Sequence, residues 1–196
     1  MRYTVGHMKS KLIQLPNGNL RKRSQRVGLI DQDILDLIEE MKKATLDWED
    51  SRDHEVGVAL AAIQININKR VVIIRSDFNN KKDKTFEIFI NPKIAKYEGE
   101  VVEDFEGCLS VNEVYGKVPR HSKVRIDAKD INNKDVRITA KGFLARVFQH
   151  EIDHTNGMLF VDRIKDTPDA FHRLDDKGNI KKLDKNEQKK FFNILW

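Results

Sequence analysis

The chain has 196 residues, 39% hydrophobic and 34% charged, with a formal net charge of +5. That length suits one domain with a sizeable core. No apolar run approaches the ~18 residues of a helical membrane span, and no signal peptide is expected. The lone cysteine, Cys108, permits no internal disulfide, which fits a reducing cytoplasm and a thiol kept for chemistry.

Met1–Met8 ends in Gly-His-Met, has the character of an expression remnant, and is set apart. Residues 9–176 are expected to form the working domain and 177–196 a basic tail. Residues 1–30 hold +7 and residues 177–190 hold +4, leaving −6 for the rest of the chain. Basic ends are usually solvated, but they also suit a polyanion such as ribosomal RNA. No specific DNA binding and no membrane partner are expected.

In chain order, Asp31–Trp48 predicts a helix: Ile34, Leu37, Ile38, Met41, Ala44 and Trp48 recur at three and four, with Asp31 as cap. A polar loop carrying His54 follows. Gly57–Gln64 is then too small and apolar for a surface loop. Arg70–Arg75 and Thr85–Ile90 predict strands, the second stopped by Asn91-Pro92. Lys93–Phe105 predicts a further strand or hairpin leading to Cys108. Lys123–Lys129 and Asp135–Ala140 flank a turn at 130–134, a helix starts near Phe143, and Met158–Val161 suggests a last strand. Strands grouped before a helix argue for an α+β fold with mostly antiparallel pairing.

The chemistry concentrates in Gln149-His150-Glu151-Ile152-Asp153-His154. On a helix, residues four apart share a face, so His150 and His154 can meet one metal ion while Glu151 handles protons. Phe143 and Val147 lie on the same stripe, and Asn156-Gly157 supplies a helix stop. That motif alone leaves a metal site at roughly even odds against simple packing. The extended pattern H-E-x-x-H-x-x-G-x-x-H fails here because Phe160 occupies the third histidine's place. Glu187, the only later glutamate, lies in the lysine-rich tail. Cys108 remains, and a thiolate with two imidazoles leaves a fourth position open, the pattern of catalytic sites.

Three segments together resemble the peptide deformylase family: Gly57-Val58-Ala59-Leu60-Ala61-Ala62-Ile63-Gln64, Glu106-Gly107-Cys108-Leu109-Ser110, and the helix motif. They stand in that family's order, and the similarity runs from about Lys11 to about Lys165. One position departs: the family's first motif reads G-x-G-x-A-A-x-Q, and its second glycine, whose backbone faces the bound peptide, is Ala59 here.

The resemblance implies a fold of small, mostly antiparallel sheets packed around a central metal-binding helix. It implies Cys108, His150 and His154 as ligands of Fe²⁺, with Zn²⁺, Ni²⁺ or Co²⁺ able to substitute, since affinity alone does not choose the ion. Glu151 is then the acid and base, and the Gln64 amide and Leu109 N–H stabilise the oxyanion; such donors are worth roughly 2.7–4 kcal/mol each. The implied substrate is the N-formylmethionyl end of nascent peptides, released as formate and a free amine. Val58, Phe143 and Val147 match the methionine pocket, with core packing as their alternative role, and Ala59 is implied to lie against the peptide backbone. Tyr115 and Arg120 are placed on an expected sheet edge where a peptide adds as a strand, or else Arg120 pairs with Glu106. Asp153 reads as a carboxylate that orients ligands, and His121 and His172 as solvent-facing.

Two other functions stay open at this point: a zinc endopeptidase with the same histidine motif, and a non-catalytic binding protein. The end of the tail, through Trp196, reads either as a basic helix for docking or as a segment folded back on the domain.

Overall fold

Ile34, Leu37, Ile38, Met41 and Ala44 form the buried stripe of α1 (Gln32–Asp50), and the Asp31 side chain accepts from the Ile34 N–H at 3.2 Å. Each large aliphatic buried there is worth about 1.5–3 kcal/mol relative to exposure. The structure, a computed structural model, describes residues 12–52, 55–174 and 179–195. Met1–Met8, His54 and Trp196 lie outside that range.

The stripe ends differently from the sequence pattern. Trp48 is only half-buried, and Glu49 is buried in its place. Charge pairing explains the exchange: the Glu49 carboxylate accepts from the Arg75 guanidinium, from Lys84 Nζ at 2.6 Å and from the Gly57 N–H at 3.0 Å. Trp48 turns toward a cleft, with the Arg52 guanidinium 4.4 Å from its ring centre.

Gly57–Gln64 is buried as its composition predicts, apart from half-buried Val58. It forms β1 (Ala59–Ala61) and a 3-10 turn (Ala62–Ile65). β1 pairs with β2 (Val71–Arg75), whose continuous apolar run follows from cover on both faces. Val72 and Ile74 join the core beneath the metal-motif helix, whereas Val71 and Ile73 join the core beneath α1.

Among the described residues, seven strands form one antiparallel sheet, in the order β1-β2-β3-β4-β6-β7 with β5 also on β4. The α+β class and antiparallel pairing agree with expectation. The sheet is continuous because β3 (Phe86–Cys108) and β4 (Val111–Lys129) are long enough to run through all of it. The stop expected at Asn91-Pro92 does not occur. Asn91 adopts φ 55°, the register shifts between Ile90 and Lys93, and the strand continues past the proline. The Asn91 side chain meanwhile bonds both the N–H and the C=O of Val27 at 2.8 Å.

β5 (Asp135–Lys141) completes the expected hairpin with β4. β6 (Phe171–Leu174) pairs with β4 at Tyr115 and Gly116, and β7 (Ile180–Lys182) pairs with β6. Tyr115 is therefore covered by β6 and is not on an edge, whereas Arg120 lies between the β6 and β5 pairings, where the Gln149 side chain bonds the neighbouring His121 backbone. Among the described residues β1 pairs only with β2 and so leaves an open edge, as β5 and β7 do with their single partners β4 and β6.

α2 (Gly142–Thr155) carries the histidine motif and is buried from Ala145 onward. Gly157, at φ 77°, ends it; a Cβ there would sit 2.4 Å from the Arg21 carbonyl oxygen. The expected strand at Met158–Val161 is instead a one-turn helix, α3 (Phe160–Arg163). So short an apolar run has no period to read, and the Asp162 carboxylate starts a helix by accepting from the Leu159 N–H at 2.7 Å. The tail forms α4 (Lys185–Leu195), and its Phe191 and Phe192 rings stand 6.0 and 5.1 Å from Phe171. The tail is thus folded back on the domain.

Candidate metal centre and active site

Placing His150 and His154 one turn apart on a buried helix brings their Nε2 atoms to 3.2 Å. The end of β3 delivers Cys108 Sγ to 3.2 Å from His154 Nε2, and all three donor atoms lie within 4.8 Å of one another. Two nitrogens bound to one tetrahedral Zn²⁺ at about 2.0–2.1 Å would lie about 3.4 Å apart. Donor type and spacing both fit a divalent ion. Phe160, in the place of a third histidine, stacks on His150 with ring centres 6.2 Å apart.

Glu106 holds one of these donors from behind. Its carboxylate accepts from His150 Nδ1 at 2.9 Å, from Arg120 Nε and Nη2 at 2.8 and 2.9 Å, and from Arg146 Nη1 at 2.8 Å. Burial would raise the Glu106 carboxyl, but the bonds from Arg120 and His150 hold it well below the usual carboxylate range. Orienting a histidine through its second nitrogen is the usual support of a metal ligand. Arg120 also pairs with Asp153, which Arg163 Nη2 meets at 2.6 Å on its other oxygen. Asp153 thus orients the network instead of facing the centre.

The two histidines are pushed apart electrostatically. Burial lowers His154, and the neighbouring charges of His150 and Arg120 lower it further, so it stays a neutral donor. Burial opposes a charge on His150 too, yet its bonds to Cys108 and Glu106 raise it. Burial pushes the Glu151 carboxyl up to about 7. Its Oε2 is buried without a hydrogen-bond partner among the described residues, although the residue lines the cleft. A group that exchanges protons near neutrality suits general acid–base work.

Gln64 comes from the 3-10 turn after β1. Its Oε1 accepts from the Ala61 N–H at 2.8 Å, which aims Nε2 toward Ser110 Oγ at 3.2 Å and Cys108 Sγ at 3.6 Å. The Ser110 N–H also donates to Cys108 Sγ, at 3.4 Å. Residues before the first helix brace both pieces: the Ile13 N–H reaches the Gln64 carbonyl at 2.8 Å and the Leu15 N–H reaches that of Ser110 at 3.0 Å.

A cleft of about 980 Å³ gathers Val58, Ala59, Gln64, Cys108, Leu109, Tyr115, Phe143, Val147, His150 and Glu151 in its lining. Two residues expected from the sequence to meet metal or peptide are not in the lining: His154, which is fully buried beside the other two donors, and Arg120, which is buried against Glu106. Phe143 is 48% exposed at the rim and packs 5.0 Å from Phe78. The Tyr115 ring lies against Gly107, where a Cβ would meet it at 2.7 Å, and its hydroxyl donates to Glu55 at 3.0 Å. Burial pushes that hydroxyl up to about 12, so it remains a donor.

Sequence reasoning missed Arg146 and the link from Glu106 to His150. Arg146 stands four residues before His150 on the same buried helix face, and that spacing was the available signal. His121 and His172 are half-buried against Tyr97 and Phe105, at 5.1 and 5.0 Å, and so are not simply solvent-facing.

Residues 9–169 match the family model described as Polypeptide deformylase. A peptide deformylase of Thermomicrobium roseum is 38% identical over 150 residues, covering 75% of this chain and 81% of its own length. The crystal structure of a peptide deformylase from Legionella pneumophila superposes with a TM-score of 0.72 at 33% identity, covering 94% of this chain and 92% of that one. A Met-Ala-Ser-bound class I type b peptide deformylase from Acinetobacter baumannii gives 0.70 at 30% identity, covering 80% of this chain and 100% of that one. Agreement of this extent in both sequence and backbone means that the chain belongs to the polypeptide deformylase family.

Proposed function

We infer that this chain hydrolyses the formyl group from the N-formylmethionyl end of nascent polypeptides, using Fe²⁺ held by Cys108, His150 and His154. The observation that carries the reading is the meeting of these three donors, within 4.8 Å, beside Glu151 and Gln64 in one cleft of a deformylase-family chain. When bound, the ion supplies a Lewis acid that activates water for attack on the formyl carbon.

The chain's own residues do the rest. Glu151 takes a proton from the attacking water and returns it to the amine nitrogen as the C–N bond breaks. The Gln64 amide and the Leu109 N–H donate to the oxygen that gains charge during attack. Val58, Phe143 and Val147 offer the apolar slot for methionine, and Tyr115 adds to the same lining. The open edge of β1 at Ala59 lets the peptide backbone add as a strand.

No helix among the described residues is long and apolar enough to cross a membrane, and a cytoplasmic site of action suits nascent-chain substrates. Lysines on β7 and α4 are the surface we assign to ribosome contact. The reading is tested by formate release from formyl-Met-Ala-Ser beside an internal peptide-bond substrate, with reduced, iron-loaded protein and its Cys108→Ala variant. Formate release by the wild type alone supports it. Cleavage of the internal bond, or a Cys108→Ala variant that keeps stoichiometric metal in unchanged coordination, overturns it.

A further inference from the structure

The cleft does not end at the methionine slot. Its volume of about 980 Å³ is at the upper end of the roughly 300–1,000 Å³ of ligand sites. The same lining runs on past Tyr115 and Phe105 to Leu174 and Ile180. These last two belong to the β6–β7 hairpin, which lies beyond residue 169, where the family match stops. This end of the cleft is therefore lined by a part of the chain beyond the residues that the family model matches.

The hairpin is firmly attached. Tyr115 faces His172 and Gly116 faces Phe171 across β4 and β6. Phe171 is fully buried, in a core that also holds Leu183 and is flanked by Phe191 and Phe192. His172 meets Phe105 edge-on at 5.0 Å, so the wall continues from β3 to the hairpin without a break. Its cleft side is apolar: Leu174 is half-buried and Ile180 is 42% exposed. Among the described residues the hairpin puts one cation in the lining, Arg173, and it is matched by Glu187 at 3.0 Å. A wall with its charge already paired favours an apolar occupant over an anionic one.

We propose that Leu174 and Ile180, with Phe105, form a downstream subsite that receives an apolar side chain from the third or fourth residue of the formylated peptide. The inference rests on the deformylase reading. An extended peptide advances about 3.3 Å per residue, so reach along the cleft grows with the number of residues after the methionine. Selection here is a matter of binding and enters through KM, because the hairpin touches no reacting atom.

Steady-state kinetics with formyl-Met-Ala-Leu-Leu and formyl-Met-Ala-Ser-Ser test the subsite. The wild type is expected to favour the first by roughly tenfold in kcat/KM, the scale of a small change in apolar contact. Leu174→Ser/Ile180→Ser is expected to lose that preference while turning over formyl-Met-Ala-Ser as before. Ile180→Ser alone gives part of the loss should the double variant fold poorly. Equal wild-type rates on the two peptides, or a preference that survives in the variants, overturns the proposal, as does equal loss on every substrate. A parallel anisotropy titration with dye-labelled Met-Ala-Leu-Leu needs no turnover. Weaker binding by Ile180→Ser supports the subsite even if the wild type fails to deformylate, and unchanged binding rejects it.

Discussion

Glu106 and His150 are joined at 2.9 Å between a carboxylate oxygen and Nδ1, and this contact turns Nε2 of the same ring toward Cys108. The carboxylate also receives Arg120 and Arg146, so one side chain orients a candidate ligand and pairs with two buried guanidinium groups. Glu106→Gln is expected to weaken metal retention by about 10–100-fold. It should also lower stability by about 3–5 kcal/mol, because two guanidinium groups lose a buried partner. Metal content after dialysis and a urea midpoint measure the two effects. Full retention would show that the centre does not depend on this contact.

Glu151 reaches no metal-ligand distance in the donor set, so Glu151→Gln should keep both fold and metal. Loss of general acid–base catalysis is expected to cost about 10²–10⁴-fold in kcat. A variant within threefold of wild type would remove Glu151 from the mechanism.

Ala59 is 5% exposed and belongs to the core that includes Ile63, Ile74 and Val147. Its methyl group is therefore packed, and Ala59→Gly is expected to cost up to about 1 kcal/mol of stability. KM for formyl-Met-Ala-Ser should change by less than threefold. A large fall in KM would mean that the methyl crowds the peptide after all.

Glu49 gives the molecule an acid-sensitive joint. Burial would raise its carboxyl, but the bonds from Lys84 and Gly57 and the charge of Arg75 hold it lowered. A lowered carboxyl adds stability above its unfolded value of about 4.3 and loses that contribution as pH falls through the folded value. Urea midpoints for the wild type should therefore drop below about pH 4.3. Glu49→Gln should be weaker at pH 7 and show a shallower acid slope. An identical slope in the variant would place the acid sensitivity elsewhere.

Truncation after Asp176 removes β7, α4 and the rings that cover Phe171. Uncovering so large an apolar side chain is expected to lower stability by about 3 kcal/mol or more. A thermal melt of the truncated chain measures it. An unchanged melt would show that α4 adds nothing to the core.

What the sequence disclosed follows from how narrowly chemistry restricts residue choice. Three donors, a carboxylate and an amide donor have few substitutes, so Cys108, His150, His154, Glu151 and Gln64 stood out. Amphipathic period gave α1, and a polar turn between two alternating runs gave the β4–β5 hairpin. Buried charge was invisible by the same logic. Glu49 and Arg75 drew no reading of burial, since nothing local reveals a partner 26 positions away. Pro92 read as a stop because a left-handed Asn91 that lets a strand continue is a tertiary device. The hairpin at the cleft's end carried no motif to mark it as part of a site.

Cys108 and His154 lie 46 positions apart, with all of β4 and β5 between them. Holding one ion ties the end of β3 to α2 and closes that stretch of chain into a loop. A clip of this kind restricts the unfolded ensemble, and the restriction grows with loop length. The ligand set thereby couples folding to supply: free metal at 100 times its dissociation constant adds about 2.7 kcal/mol to the folded state. Starvation for the ion would then thin the population of intact molecules as well as silence them.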